Sequence, residues 1–78
     1  MIKAYVLIVT DPGSTKAVFS ALQQVQGIVT VHQVMGPYDI VAEIEVDDLS
    51  KVPPILSERI RTIEGVESTT SLVTFPGS

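Results

Sequence analysis

The chain has no cysteine, no tryptophan and no asparagine, and His32 is its only histidine. Without cysteine it cannot form a disulfide, and a single histidine does not provide the paired ligands of a zinc or iron site. No nucleophile lies at a recognisable spacing from a base, and the carboxylates of Glu43 and Glu45 are interpreted as solvated strand charges. We therefore expect no catalytic residue, no metal and no cofactor, and predict that the protein is not an enzyme.

Basic residues and long hydrophobic runs are also scarce. Five Lys and Arg stand against nine Asp and Glu, which gives a formal net charge of −4. Because phosphate binding requires clustered Lys and Arg, direct binding to nucleic acid is not expected. No apolar run approaches the roughly 18 to 20 residues that cross a bilayer, and no signal peptide is recognisable after Met1. A chain without membrane contact and without cysteine is expected in the cytoplasm.

An internal repeat is the main positive feature of the sequence. A shift of 38 positions places Gly27 and Ile28 on Gly65 and Val66. The same shift superposes two sets of apolar residues, Ile2, Ala4, Val6 and Ile8 on Ile40, Ala42, Ile44 and Val46. Both sets alternate with a period of two, as β-strands do. The repeat predicts two similar halves, each ordered strand, helix, strand.

Each half contains one predicted helix between a capping residue and a glycine. Ser14 is the expected N-cap of the first helix, and Asp47 or Asp48 that of the second. The apolar positions are Ala17, Val18, Ala21, Leu22 and Val25 in the first helix, and Val52, Leu56, Ile60 and Ile63 in the second. Gly27 and Gly65 are expected to end the two helices.

The predicted strands cover residues 2–9, 28–35, 40–46 and 66–75, which gives the order βαββαβ. This is the split βαβ or ferredoxin-like fold of the α+β class, with both helices on one face of a four-stranded antiparallel sheet. We expect residues 1–75 to form this single domain and residues 76–78 to be a short C-terminal tail. A domain of this size buries only about 60% of its unfolded surface, so its stability as a monomer would be marginal.

The face of the sheet away from the helices is the expected dimer surface. If the repeated apolar set of the first strand faces the helices, then Tyr5, Leu7 and Val9 point away from them, as does Val41 on the third strand. Large exposed apolar patches are rare on monomers. A second copy of the chain is therefore predicted to cover this face, with a monomeric open sheet as the alternative.

A four-residue corner, Gly36-Pro37-Tyr38-Asp39, joins the second and third predicted strands. Glycine allows a tight backbone, proline fixes the next φ, tyrosine brings a ring with a hydroxyl, and the aspartate carboxylate accepts backbone or ammonium donors. Taken alone, the corner is equally consistent with a plain β-turn that the aspartate stabilises. Among so few reactive side chains, it is the best candidate for a ligand site.

Two motifs together resemble a known family. The segment Gly36-Pro37-Tyr38-Asp39-Ile40-Val41-Ala42 is followed, 26 residues after Asp39, by Gly65-Val66-x-x-Thr69-x-Ser71. This combination is similar to the effector domain of the leucine-responsive regulator (Lrp/AsnC) family, called RAM for regulation of amino acid metabolism. The resemblance covers nearly all 78 residues and includes the order of the elements.

The resemblance implies a dimer formed through the open sheet face, dimers assembled into a ring, and a small amino-acid-type effector bound between subunits. The ligand-binding residues that it implies are Gly36, Tyr38, Asp39, Thr69, Ser71 and Leu72. Gly36 would bring backbone close to the effector, and Asp39 would lie beside its ammonium or hold the loop. The hydroxyls of Thr69 and Ser71 would contact it, and Leu72 would line its side-chain pocket. The family often has an acidic or polar residue after the glycine, whereas this chain has Pro37, which leaves the effector's identity open.

Full-length members of the family carry a winged helix-turn-helix before this domain, whereas this sequence begins at the first strand. The expectation is a stand-alone RAM protein that affects transcription by joining a DNA-binding Lrp/AsnC paralogue.

Two other classes share the element order: dimeric α+β barrel enzymes, which need a working His, Asn or Trp, and ACT-type amino-acid-binding modules. ACT-type modules pair their sheets side by side, and the apolar open face of the first strand argues against that arrangement.

Overall fold

The computed structural model describes residues 1–75, so the predicted tail, residues 76–78, lies outside the described residues. The elements follow in the predicted order. They are β1 (Ile2–Thr10), α1 (Thr15–Leu22), β2 (Ile28–Gln33), β3 (Ile40–Val46), a second helical segment (residues 49–60) and β4 (Val66–Val73). The strands form one antiparallel sheet with the order β2-β3-β1-β4. The predicted ferredoxin-like fold of the α+β class is confirmed.

The core lies between one face of the sheet and the helices. On β1 and β3 the side chains alternate between the buried core and the opposite face, as the repeated apolar pattern predicts. The fully buried strand residues are Ala4, Val6, Ile8, Ile40, Ala42 and Ile44, and they pack with Val18, Leu22 and Ile60 from the helices. The two central strands therefore supply most of the core, while β2 and β4 form the sheet edges.

The first helix is shorter than predicted. Ser14 occupies the N-cap position, but its side chain makes no capping hydrogen bond. A hydrogen bond of 2.6 Å between the hydroxyls of Thr10 and Thr15 links the end of β1 to the start of the helix instead. The helix ends at Leu22, before the predicted stop at Gly27, and Val25 packs against the core from the loop that follows.

The second helical segment differs from the regular helix that the sequence pattern predicts. The predicted cap is confirmed for Asp48, whose Oδ1 accepts a hydrogen bond from the Ser50 amide at 2.9 Å. The segment consists of a 3₁₀ turn (Leu49–Lys51), one α-helical turn (Val52–Pro54) and a π-helical stretch (Ile55–Ile60). No single helical period runs through these residues.

The π-helical stretch brings Ile55 into the core in addition to the predicted residues. The amide of Arg61 donates to the carbonyl of Leu56 at 2.8 Å, a bond across five residues that characterises a π-helix. As a result Ile55 and Ile60, five positions apart, are both buried, while Leu56 is only partly buried. The predicted stripe of Val52, Leu56, Ile60 and Ile63 packs against the core, but it did not include Ile55.

The two glycines matched by the internal repeat have the same backbone conformation. Gly27 has φ +101° and Gly65 has φ +100°, in the left-handed region that favours glycine. Each packs against the helical part of the other half: a Cβ on Gly27 would lie 3.0 Å from Ile55 Cδ1, and one on Gly65 would lie 2.7 Å from Ser14 Cβ. The repeat therefore extends from the sequence to the backbone geometry.

Among residues 1–75, no helix has both the length and the apolar character that crossing a membrane requires.

Candidate functional site

The corner between β2 and β3 faces solvent, and a backbone hydrogen bond closes it. The amide of Val34 donates to the carbonyl of Asp39 at 3.0 Å, which closes the loop. Gly36 has φ +138°, and a Cβ placed there would have no atom within 4 Å. Tyr38 is half-buried, while Met35 is 99% exposed. The backbone at Gly36 is therefore open to the approach of another molecule.

Asp39 fixes this corner to the end of β1. Its Oδ2 accepts a hydrogen bond from the amide of Thr10 at 2.8 Å, and its own amide donates to the carbonyl of Ile8 at 2.9 Å. Of the two roles considered for Asp39, holding the loop is therefore visible in the protomer. A carboxylate has capacity for several donors, so this bond does not exhaust the acceptor sites of Asp39.

Two further carboxylates lie at the same end of the sheet. A bulge in β4 places Val66 opposite Thr10 and Ser68 opposite Val9, so that Glu67 is the extra residue. A hydrogen bond with Asp11 and the negative charge of Asp11 raise the pKa of Glu67, with smaller contributions from desolvation and from Asp39. Sequence reasoning missed this cluster, because Glu67 and Asp11 look like ordinary surface charges in the sequence.

The residues of β4 implied by the resemblance do not share one face. Thr69 pairs with Ile8, which in turn pairs with Ile40, so Thr69 lies about 10 Å from the corner, on the far side of β1. Ser71 is on the same face as Thr69 and is exposed. Leu72 is on the opposite face, where it pairs with Tyr5. One protomer therefore gathers the corner residues, but β1 separates them from the hydroxyls of Thr69 and Ser71, and Leu72 lies on the opposite face of the sheet from both hydroxyls.

The predicted dimer-face residues all lie on the side of the sheet away from the helices. Tyr5, Leu7, Val9 and Val41 are half-buried in the protomer, and Leu7 pairs directly with Val41. Leu72 extends this apolar patch to the edge strand β4. We call this surface, residues 5, 7, 9, 41 and 72, the open face.

One end of the open face is charged, whereas the sequence pattern predicted an apolar face. Lys3 Nζ lies 3.6 Å from Glu43 Oε2, and Glu43 has a side chain only 18% exposed. Glu45 is paired directly opposite Lys3 across β1 and β3. Glu43 is therefore not the freely solvated strand charge that was expected, since neighbouring side chains and Lys3 enclose it.

Metal-ligating side chains do not cluster within residues 1–75. No group of three or more His, Asp or Glu residues is arranged to hold an ion there. The carboxylates of Asp11, Asp39 and Glu67 share one end of the sheet without forming such a group.

Comparison with known proteins identifies the family. Residues 3–75 match the family model described as the Lrp/AsnC ligand binding domain. An uncharacterised HTH-type transcriptional regulator from Pyrococcus furiosus, PF0250, is 35% identical in an alignment 75 residues long, which covers 92% of this chain and 50% of that protein. The chain spans about half the length of the curated relatives it matches.

Solved structures share the fold over the whole domain. TTHA0845 from Thermus thermophilus superposes with a TM-score of 0.94 at 32% identity, covering 100% of this chain and 98% of that one. The transcriptional regulator NMB0573 from Neisseria meningitidis, solved as a complex with L-Met, superposes with a TM-score of 0.85 at 10% identity, over 97% of this chain and 51% of that one. With the family match over residues 3–75, these findings show that the chain belongs to the Lrp/AsnC ligand binding domain family.

Proposed function

We propose that this chain is a non-enzymatic sensing module, which binds a small amino acid or related metabolite between copies of itself and contributes to transcriptional regulation. The observation that carries the proposal is the corner of residues 36–39, held by the bond between Asp39 and Thr10 and open to solvent at Gly36. A preformed, accessible loop in a ligand-binding family is what a sensor requires.

The corner suits the charged end of an amino acid. Because the bond from Thr10 already orders Asp39, a ligand does not have to order this loop when it binds. The raised pKa of Glu67, which arises first from its hydrogen bond with Asp11 and then from the charge of Asp11, indicates excess negative charge nearby. An ammonium group would relieve that repulsion. Thr69 and Ser71 would add hydroxyls on the other side of β1.

The open face supports the proposed dimer. Tyr5 pairs with Leu72, and Leu7 pairs with Val41, so apolar side chains run across three adjacent strands. A second copy would remove these side chains from water, which stabilises the complex in proportion to the apolar area covered. Lys3 and Glu43 would enter the interface as a pair, so that neither charge is buried alone.

Further assembly of dimers into a ring would place a neighbouring subunit over the corner, and Leu72 of one copy would then complete the pocket beside another. Effector binding would favour one assembly state through different affinities for the alternative states. The proposed partner on DNA is an Lrp/AsnC paralogue that has a DNA-binding domain, since the relative PF0250 is a regulator of the HTH type. The proposed setting is the cytoplasm.

The proposal is tested by thermal-shift measurements with each of the standard amino acids, together with the mass of the assembly from light scattering. A ligand that binds only the native state raises the melting temperature with increasing concentration. We expect at least one amino acid to raise the melting temperature. The mass of the assembly is expected to be at least twice the 8.4 kDa of one chain.

The matched control is Asp39→Asn, which keeps an oxygen to accept from Thr10 but removes the charge. It is expected to fold and assemble like the wild type and to show a smaller ligand-dependent shift, because binding at the corner is lost. A chain that stays monomeric in dilute buffer, or that no amino acid stabilises, would contradict the proposal.

A further inference from the structure

A second concave region lies at the opposite end of the sheet from the corner. It is a cleft of about 590 Å³ between the start of β1, the loop before β2, the end of β3 and the second helical segment. Strand β3 runs from Ile40, beside the corner, to Val46 in the cleft wall, so the two regions are about 20 Å apart. The volume falls within the range of roughly 300 to 1,000 Å³ that small-molecule pockets occupy.

Part of the cleft lining, which we call the floor, is apolar. Pro54 and Ile55 line it from the second helical segment, and Val46 lines it from β3. Gly27 lies so near Ile55 that a Cβ added to the glycine would be 3.0 Å from the Cδ1 atom of Ile55. The carbonyl of Gly27 accepts a hydrogen bond from the amide of Glu45 at 3.1 Å. Contacts between parts of the chain distant in sequence therefore hold this floor in place.

The rim of the cleft carries charges of both signs. Arg59 makes one long hydrogen bond, 3.5 Å from its Nη1 to the Gln26 carbonyl, and among residues 1–75 no carboxylate lies within ion-pair distance of it. Most of the five donors of its exposed guanidinium therefore have no partner among the described residues and are available to a ligand. Glu58, its neighbour in sequence, also lines the cleft. Lys51, in contrast, is already bound to Asp47 at 2.7 Å.

We infer that this cleft is a second binding site, specific for a small zwitterion with an apolar side chain. The guanidinium of Arg59 binds the carboxylate in a bidentate manner. The carboxylate of Glu58 binds the ammonium, and Pro54 and Ile55 contact the apolar part. A simple anion would leave Glu58 unmatched, and a simple cation would leave Arg59 unmatched. The inference does not depend on the ligand site proposed at the corner.

Selective ¹⁵N-glycine labelling of the full chain tests the inference directly, because the sequence has only five glycines. Gly27 lines the cleft and Gly36 lies in the corner, so their amide signals report on the two regions separately. The probes are L-leucine, L-isoleucine, L-methionine and L-phenylalanine. We expect at least one of them to shift the Gly27 signal in a saturable way.

Two comparisons then test the chemistry of the cleft. For L-leucine, isocaproate lacks the ammonium and isoamylamine lacks the carboxylate. Each is expected to bind at least about tenfold more weakly, as for the loss of one charge-assisted hydrogen bond. Arg59→Gln is expected to weaken binding by at least about tenfold as well, whereas Arg61→Gln, an exposed arginine that does not line the cleft, leaves it unchanged.

The outcomes separate the two sites. A Gly36 signal that moves while Gly27 stays fixed with every probe would refute the cleft site and support the corner. A Gly27 signal that moves while Gly36 stays fixed supports the cleft and counts against the corner. If Arg59→Gln and Arg61→Gln bind equally well, or if no probe moves Gly27, the inference is wrong.

Discussion

The carboxylate of Asp39 and the amide of Thr10, 29 positions apart in the sequence, are joined by a hydrogen bond of 2.8 Å. This bond connects the corner between β2 and β3 to the end of β1, next to the strand that carries Thr69. One side chain therefore accepts the bond that holds the loop and, in the site proposed above, would also provide charge for a ligand; mutagenesis can separate these two tasks.

Asp39→Ala is expected to destabilise the fold by about 1 to 3 kcal/mol, because the part-buried Thr10 amide loses its acceptor. Asp39→Asn retains an acceptor and is expected to cost clearly less. Urea unfolding of both variants measures the difference. Equal losses in the two variants would show that the charge, and not the hydrogen bond, stabilises the corner.

Gly65→Ala is expected to destabilise the fold by more than the roughly 1 to 2 kcal/mol that a left-handed backbone costs an L-residue. The added Cβ would lie 2.7 Å from Ser14 Cβ, in addition to the strain at φ +100°. Gly13→Ala is the matched control, since Gly13 also has positive φ, +86°, but its Cβ would meet nothing within 4 Å. Thermal unfolding should therefore rank wild type, Gly13→Ala and Gly65→Ala in falling order.

Leu7→Asp is expected to dissociate the assembly, because it places a charge at the centre of the open face. Ala17→Asp introduces the same negative charge at an exposed position of α1, away from the open face. It should leave the mass of the assembly unaltered. Light scattering over a dilution series distinguishes the two variants. An assembly that tolerates Leu7→Asp would place the subunit interface elsewhere.

Glu67 should make stability depend on pH above its ordinary pKa of 4.5. Its hydrogen bond with Asp11, followed by the charge of Asp11, raises its pKa in the folded chain. The folded state therefore binds this proton more tightly than the unfolded state does. The resulting stabilisation is present below pH 4.5 and is lost as the pH rises through the raised pKa.

Glu67→Gln is accordingly expected to remove a decline in stability as the pH rises above 4.5, with Glu64→Gln on the preceding exposed turn as the control. Asp47 and Asp48 affect the stability of the fold in a different pH range. The hydrogen bond with Lys51 lowers the pKa of Asp47, and the Ser50 amide lowers that of Asp48, so their contributions are lost only at pH below 3.8. Unfolding measured across both windows tests the assignment.

Local patterns were sufficient to predict the strands and their order. The alternation along residues 2–9 and 40–46 reports directly on which side chains are buried, and the repeat that relates Gly27 to Gly65 predicts the similar halves. The same alternation also implied that Ser71 and Leu72 face opposite ways, although the resemblance grouped them around one ligand. That conflict disappears only if different subunits supply the two side chains, as the proposed assembly requires.

Other features depend on contacts that no local pattern records. The bond from Thr10 to Asp39 joins the last residue of β1 to the loop before β3, and neither residue reveals this contact in the sequence. The meeting of Glu67 with Asp11 depends on a one-residue bulge in β4. For the second helical segment, helical spacing predicted Leu56, which packs against the core, but it did not predict Ile55, which is buried next to Gly27.

The one-residue surplus in the π-helical stretch also matters for sequence alignment across the family. An extra residue in a helix rotates everything beyond it by about 100°, so a homologue shorter by one residue within 55–60 would restore an unbroken α-helical winding. If such a homologue had an arginine in this stretch, an ungapped alignment would match it with Arg59 even where the two side chains project in different directions. The position of an alignment gap within residues 55–60 therefore decides which relatives are aligned as having charged residues at the positions of Glu58 and Arg59.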